Sequence, residues 1–136
     1  MTGLPTQLLL VMLGGALGAA GRFWLGGEAL RRLGDSLPWG TLMVNLIGSF
    51  AVGFLAQYLQ GQGQAATYWR AFLIVGVLGA LTTWSSLALE LVLLQRDARS
   101  AAALGYLLLT LVGGLGLVWL GAMLATLCSP ASGAAP

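Results

Sequence analysis

The most unusual chemistry in this sequence lies in residues 76–90, GVLGALTTWSSLALE. Here an apolar segment gathers two glycines, two threonines, two serines, one tryptophan and one carboxylate. Glycine and β-branched threonine lower helix propensity, and a threonine hydroxyl competes for backbone hydrogen bonds. We therefore expect a helix break between Gly79 and Thr83, whose loose carbonyls would suit a cation and whose helix N-terminus would suit an anion. The alternative is a simple kink that a neighbouring helix fills.

The composition places this segment in a lipid bilayer. Of the 136 residues, 58% are hydrophobic and only 7% are charged, whereas about a quarter of the residues in soluble domains are charged. Four charge-free runs each supply the roughly 20 residues that a spanning helix needs: residues 1–21, 36–69, 71–89 and 100–136. We expect an all-α integral membrane protein, with four transmembrane helices in a single domain (residues 1–128) and a disordered tail (residues 129–136).

The ends of the four spans follow from charges, glycines and prolines. The expected helices are Leu4 to Gly26, Gly40 to Gln60, Tyr68 or Arg70 to Leu94, and Ala101 to Leu127. Residues 27–39 are charged and end near a proline, which indicates a loop or a short surface helix. The first run is long and lacks a basic start, so we interpret it as a retained helix and not as a signal peptide.

Several classes of function lack the residues that they need. The single cysteine, Cys128, excludes a disulfide within the chain. Histidine, the usual proton shuttle and transition-metal ligand, does not occur in the sequence. No nucleotide-binding glycine loop or catalytic triad is present, and a net charge of +2 from dispersed arginines does not suggest nucleic acid. We expect neither an enzyme nor a nucleic-acid partner.

Helices 1 and 2 each carry a stripe of residues spaced by four. On helix 1 these are Gly14, Gly18 and Arg22, and small residues at this spacing let membrane helices approach closely. Arg22 either snorkels to the interface or pairs inward with carbonyls or an anion. On helix 2 the polar side chains that share a face are those of Thr41, Asn45 and Ser49. This face either staples two helices together or lines a polar pathway.

Helices 3 and 4 carry further polar side chains at helical spacing. Thr83, Ser86 and Glu90 share one face of helix 3, and Tyr106 and Thr110 share one side of helix 4. Glu90 is the sole carboxylate within an expected span, which makes it a candidate functional residue. The alternative is a structural role, beside an arginine or near the membrane interface.

Three segments, in order and across nearly the whole chain, resemble the signatures of the Fluc (CrcB) family of fluoride channels. They are residues 14–22 (GGALGAAGR), 40–50 (GTLMVNLIGSF) and 76–83 (GVLGALTT). The resemblance implies a subunit of the bacterial inner membrane that forms an antiparallel, dual-topology dimer and exports fluoride passively. It also implies a structural sodium ion at the dimer centre, held by the backbone carbonyls of Gly79 and Thr82 from each subunit. The positions that match the fluoride pathway are Asn45, Thr41, Thr83, Trp84, Ser86, Leu87, Glu90, Tyr106 and Thr110, with Arg22 at the vestibule.

Two features depart from this family pattern. The family's T-T-F-S-T-F string is TTWSSL in residues 82–87, so Trp84 and Leu87 replace two phenylalanines whose ring edges are thought to face fluoride. Trp84 keeps an electropositive aromatic edge and adds an N–H donor, whereas Leu87 has neither. In addition, the loops on one side carry Arg31, Arg32, Arg96 and Arg99, and the other side carries only Arg70. This bias favours one orientation of the chain in the membrane.

The sequence therefore favours a fluoride-selective channel and leaves two alternatives. One is a non-conducting or obligate heteromeric subunit of such a channel, because a partner with intact phenylalanines and the opposite orientation would accommodate both departures. A homodimer is the expected state and a heterodimer the alternative. The other class is a proton-coupled small multidrug exporter that uses Glu90 as the exchanging carboxylate.

Overall fold

A computed structural model describes residues 3–128, and every regular element in this range is helical. In chain order the elements are α1 (Leu4–Leu33), α2 (Trp39–Tyr58), α3 (Gly63–Trp69), a π-helical segment (Arg70–Leu78), the single turn α4 (Gly79–Leu81), α5 (Trp84–Arg96) and α6 (Ser100–Cys128). Four stretches are long and apolar enough to cross a membrane: Leu4–Leu33, Trp39–Tyr58, Gly63–Arg96 and Ser100–Cys128. The prediction of an all-helical, multi-pass membrane protein with four spans is confirmed. The predicted tail, residues 129–136, lies outside the described residues.

The first helix is longer than expected. The prediction that it ends near Gly26 is wrong, because α1 continues without interruption to Leu33. Glu28 forms ion pairs with Arg31 and Arg32, which lie three and four residues further along the helix. Pairs at this spacing stabilise a helix, so the charges that suggested a loop instead extend the helix beyond its apolar part.

The third span also begins earlier than expected, at Gly63. It then passes through a π-helix over Arg70–Leu78, which the sequence analysis did not predict. After the turn α4, Thr82 (φ −78°, ψ 154°) and Thr83 (φ −151°, ψ 118°) are extended, and the α-helix resumes as α5. The third span therefore consists of two helical parts joined by two extended residues.

Glycines allow the helices to meet backbone to backbone. A Cβ atom at Gly14 would lie 2.3 Å from the Phe72 carbonyl oxygen, and one at Gly18 would lie 2.1 Å from the Val77 carbonyl oxygen. The same holds between α2 and α6, where a Cβ at Gly53 would lie 2.0 Å from a carbonyl oxygen of α6. These contacts confirm the prediction that small residues on helix 1 let two helices approach closely.

Two apolar clusters lie beside α2. The first joins α2 to α5 and α6 through Leu42, Leu87, Leu94, Ala103 and Tyr106. The second joins α2 to the first part of the third span through Val44, Leu78 and Leu81. Leu42 and Val44 therefore anchor α2 to both halves of the third span, and Asn45 of the same helix faces the extended residues between those halves.

Candidate functional site

Asn45 bonds both backbone polar groups of the extended residue Thr83. Its Oδ1 accepts a hydrogen bond from the Thr83 N–H at 2.8 Å, and its Nδ2 donates to the Thr83 carbonyl at 3.1 Å. Both residues are buried, with Asn45 9% and Thr83 7% exposed. In an uninterrupted α-helix the Thr83 N–H would instead bond to the carbonyl of Gly79. A side chain of α2 thus replaces a helical bond of the third span.

Thr83 also caps the helix that follows it. Its Oγ1 accepts a hydrogen bond from the Ser86 N–H at 3.2 Å and lies 3.1 Å from the hydroxyl oxygens of Ser85 and Ser86. In an uninterrupted helix the Ser86 N–H would bond to the carbonyl of Thr82. Three hydroxyls therefore gather at the start of α5. The carbonyls of Gly79 and Thr82 both lose their usual helical donors.

The carboxylate of Glu90 receives one hydroxyl hydrogen bond on each oxygen. Thr41 Oγ1 donates to Oε1 at 2.6 Å, and the Tyr106 hydroxyl donates to Oε2 at 2.6 Å. Thr110, one turn beyond Tyr106, donates its hydroxyl to the Tyr106 carbonyl at 2.8 Å. Among residues 3–128 no arginine lies within ion-pair distance of Glu90. Glu90 thus connects α2, α5 and α6 through hydroxyl groups and not through an arginine.

A cavity opens beside the extended residues. We call it the break cavity; its volume is about 340 Å³, and its wall includes the polar side chains of Asn45, Ser49, Thr83 and Thr110. Gly79 and Thr82 border the same space. Polar groups inside a membrane are costly unless they are bonded or face water or an ion. This cavity therefore gives the interruption a polar surface on which an ion could lie.

Two smaller cavities share lining residues with it or with each other. The arginine cavity, about 300 Å³, is lined by Arg22, Thr41, Thr83 and Ser86 among others. The carboxylate cavity, about 190 Å³, includes Thr41 and Glu90 in its wall. Thr83 borders both the break cavity and the arginine cavity, and Thr41 borders both the arginine cavity and the carboxylate cavity. The three cavities thus share hydroxyl-bearing walls.

The structure brings together the residues that the sequence analysis selected. Each borders one of these cavities or bonds to a residue that does: Asn45, Gly79, Thr82, Thr83, Trp84, Leu87 and Thr110 at the break cavity; Arg22, Thr41 and Ser86 at the arginine cavity; Glu90 at the carboxylate cavity; and Tyr106 on Glu90. Their roles in ion conduction stay predictions.

The two residues that replace the family's phenylalanines are placed differently. Trp84 is 68% exposed at the edge of the break cavity, whereas Leu87 is 2% exposed and belongs to the apolar cluster around Leu42 and Tyr106. An aromatic edge is therefore available at position 84. The side chain at position 87 acts mainly in packing and reaches the cavity only as part of its wall.

Two polar residues at the site were absent from the pathway positions that the resemblance implied. Ser49, which the sequence analysis placed on the polar face of helix 2 with Thr41 and Asn45, borders the break cavity. Ser85 lies within hydrogen-bond distance of Thr83, but its helical position relative to Glu90 gave no reason to select it. Its contact depends on the extended backbone at Thr83, which turns the start of α5.

These features define a multi-pass membrane protein with a polar interruption in one span, and comparison with known proteins supplies the family. The family model described as "CrcB-like protein, Camphor Resistance (CrcB)" matches residues 9–122, and the chain belongs to this family. The resemblance stated from the sequence motifs is thereby confirmed.

Three relatives carry the name "Fluoride-specific ion channel FluC". The chain is 53% identical to the protein of Xylella fastidiosa (strain 9a5c) over 118 residues, which cover 87% of this chain and 82% of the relative. It is 50% identical to that of Xanthomonas axonopodis pv. citri (strain 306) over 116 residues, 85% of this chain and 87% of the relative. It is 43% identical to that of Rhizobium meliloti (strain 1021) over 101 residues, 74% and 81%.

Proposed function

We propose that this protein is a fluoride-selective channel that exports fluoride passively from the cytoplasm across the bacterial inner membrane. The observation that carries the proposal is the pair of hydrogen bonds between Asn45 and Thr83, because it satisfies the backbone N–H and carbonyl of an extended residue within a span. The names of the relatives support the choice of fluoride as the ion. The shared walls of the three cavities support a route for it.

The donors along this route suit a small, strongly hydrated anion, which must exchange its water for other hydrogen-bond donors. The amide of Asn45 has two N–H hydrogens and uses one for the Thr83 carbonyl, so the second is free for an anion in the break cavity. Trp84, whose indole carries an N–H donor and an electropositive ring edge, borders the same cavity. Asn45 and Trp84 together therefore form the first binding position.

Glu90 weakens the binding of an anion at the carboxylate cavity, which is the far end of the proposed route. The hydroxyl hydrogens of Thr41 and Tyr106 are already donated to its carboxylate. An anion arriving here competes with Glu90 for those hydrogens and is repelled by its charge. Conduction requires a site that releases the ion as readily as it accepts it, and this competition supplies that property.

A sodium ion at the interruption fits the available ligands. The carbonyls of Gly79 and Thr82 lack their helical donors, because the N–H groups of Thr83 and Ser86 bond elsewhere. Unwound carbonyls of this kind coordinate sodium in other membrane proteins. Two oxygens from one chain are too few for such an ion, so the proposal places it between two subunits. The ion would stabilise the partial negative charge of these carbonyls.

We propose an antiparallel dimer that buries the break cavity. Its rim includes exposed apolar side chains, such as Trp84 and Leu111, which a second copy would cover. A homodimer requires the chain to insert in both orientations, and the arginine bias opposes this. The alternative is therefore a heterodimer with an oppositely inserted partner.

Efflux from liposomes tests the function. The chain is expressed alone, purified and reconstituted, and fluoride and chloride efflux are followed with ion-selective electrodes. We expect rapid fluoride efflux and no chloride efflux above that of empty liposomes. Equal efflux of the two anions would contradict a fluoride-selective channel. If the chain alone gives no fluoride efflux and addition of a second subunit type restores the efflux, the result would favour the heterodimer over the homodimer.

The geometry gives less support to a proton-coupled exporter. The cavity at Glu90 is only about 190 Å³, and both carboxylate oxygens are already bonded. Exporters of organic cations need a larger space around the exchanging carboxylate. Uptake of an organic cation that is driven by a pH gradient and lost in Glu90→Gln would favour the exporter over the channel.

A further inference from the structure

The part of α1 that begins at Arg22 carries a groove that the fluoride route does not explain. We call it the outer groove; its volume is about 470 Å³, and its wall includes Arg22, Phe23, Trp24, Gly27, Glu28 and Arg31. Phe23 is 86% and Trp24 66% exposed. A Cβ atom at Gly27 would have no neighbour within 4 Å. The groove is therefore open to the surroundings and has two aromatic rings beside bare backbone.

The groove lies where α1 leaves the hydrocarbon. Residues 4–21 carry no charge, and at about 1.5 Å per residue they extend about 27 Å, close to the thickness of the hydrocarbon core. Arg22 is the first charged residue, and α1 continues to Leu33 beyond it. Tryptophan is enriched at the boundary between lipid and water. The outer groove thus sits at the depth of the lipid headgroups.

This part of α1 carries surplus positive charge. Residues 22–32 contain three arginines and one glutamate. Glu28 forms ion pairs with both Arg31 and Arg32. Within the described range no carboxylate lies at ion-pair distance from Arg22. The groove therefore presents Arg22 without a counter-charge, and Arg31 beside Glu28, which lies in the same wall and is shared with Arg32.

We propose that the outer groove binds the headgroup of an anionic glycerophospholipid from the surrounding leaflet. Arg22 and Arg31 face the phosphate, and the rings of Phe23 and Trp24 pack along the glycerol and the first acyl carbons. Charge complementarity selects this occupant, because basic pockets at the membrane surface bind anionic headgroups. Arg22 also borders the arginine cavity, so a bound lipid would lie next to one entrance of the fluoride route.

Two neighbouring arginines provide a matched test. Arg31 and Arg32 both pair with Glu28, and their side chains are 77% and 76% exposed. Only Arg31 borders the outer groove. Native mass spectrometry of the purified full chain measures the affinity for phosphatidylglycerol and for phosphatidylcholine with the same acyl chains. We expect the unmodified chain to prefer phosphatidylglycerol. Arg31→Gln should lower that affinity about fivefold, as expected for one basic residue at an anionic surface, and Arg32→Gln less than about twofold.

The outcomes separate a defined site from diffuse attraction. Equal losses in Arg31→Gln and Arg32→Gln would overturn the site, as would a chain without preference for phosphatidylglycerol. Arg31→Lys keeps the charge and should retain most of the preference, which would assign the loss in Arg31→Gln to the missing charge. Trp24→Ala should lower the affinity for phosphatidylglycerol and for phosphatidylcholine to a similar extent. Unchanged binding in Trp24→Ala would overturn the proposed contact with the aromatic rings.

Discussion

Two regions of this protein differ in what contacts the helix backbone. Where α1 lies on the π-helical segment and α2 lies on α6, the helices touch directly at glycines. At Thr82 and Thr83 helical backbone hydrogen bonds are missing. The side chain of Asn45 and the hydroxyl of Thr83 bond the freed backbone groups instead. The first region holds the bundle together by packing, and the second places polar groups at a cavity. Substitutions should therefore impair folding in the first region and ion flux in the second.

The largest effect is expected for Asn45→Asp. The carboxylate keeps an acceptor for the Thr83 N–H but has no hydrogen for the Thr83 carbonyl, and it adds negative charge to an anion route. Two unit charges 4 Å apart at an effective dielectric of about 20 repel by about 4 kcal/mol, which corresponds to about a thousandfold in rate. Fluoride efflux from liposomes measures the loss, and gel filtration should show that assembly largely persists.

Gln57→Glu is the matched control for this substitution. It makes the same change from amide to acid on the same helix, at a residue that borders none of the three cavities of the proposed route. We expect it to leave fluoride efflux close to that of the unmodified chain. Undiminished efflux in Asn45→Asp would refute the assignment of Asn45 to the route and would leave it as a structural staple.

The next largest effect tests the packed region. Gly53→Ala would place a Cβ atom 2.0 Å from the Val118 carbonyl oxygen, so α2 and α6 must separate. Overpacking of this kind costs about 3 kcal/mol at the upper end of its usual range. Thermal unfolding in detergent should show a lower midpoint. Gly116→Ala, where no atom lies within 4 Å, is the control and should not lower the midpoint. Equal midpoints for both variants would show that the glycine contacts do not hold the bundle together.

A smaller effect is expected for Thr83→Val, which keeps the shape of the side chain and removes the hydroxyl that caps α5. Loss of such a cap costs about 1 kcal/mol. The hydroxyl of Thr126 only bonds back to its own helix at an exposed position, so Thr126→Val should have little effect. Thermal unfolding and fluoride efflux are measured together. We expect Thr83→Val to reduce efflux by a larger factor than it reduces stability, and a proportionate loss would count against a role in the route.

The smallest effect on stability is expected for Trp84→Phe, because the side chain is exposed. The replacement keeps an aromatic edge and removes the indole N–H. The free energy of unfolding of the Trp84→Phe variant should differ from that of the unmodified chain by less than about 0.5 kcal/mol. Leu87→Phe is the contrasting variant, since it inserts a ring at a position that is 2% exposed, where overpacking costs about 1–3 kcal/mol. Efflux that appears only when both positions carry phenylalanine would favour the non-conducting alternative.

The sequence by itself determined the four spans and the faces that carry polar groups. Both depend on local properties: the length of an apolar run decides whether it crosses a bilayer, and spacing by three or four places side chains on one helix face. Helix α1 is longer than its composition predicts, because the ion pairs of Glu28 stabilise a helix where the polar residues suggested a loop.

Only the tertiary structure decided which polar groups meet. Asn45 and Thr83 are 38 residues apart in the chain, and Thr41 and Glu90 are 49 apart. Their hydrogen bonds depend on how α2 packs against the two halves of the third span. The local sequence does not determine where α2 lies relative to that span. The burial of Leu87 and the exposure of Trp84 have the same cause, because packing against α2 and α6 sets which side of α5 faces the core.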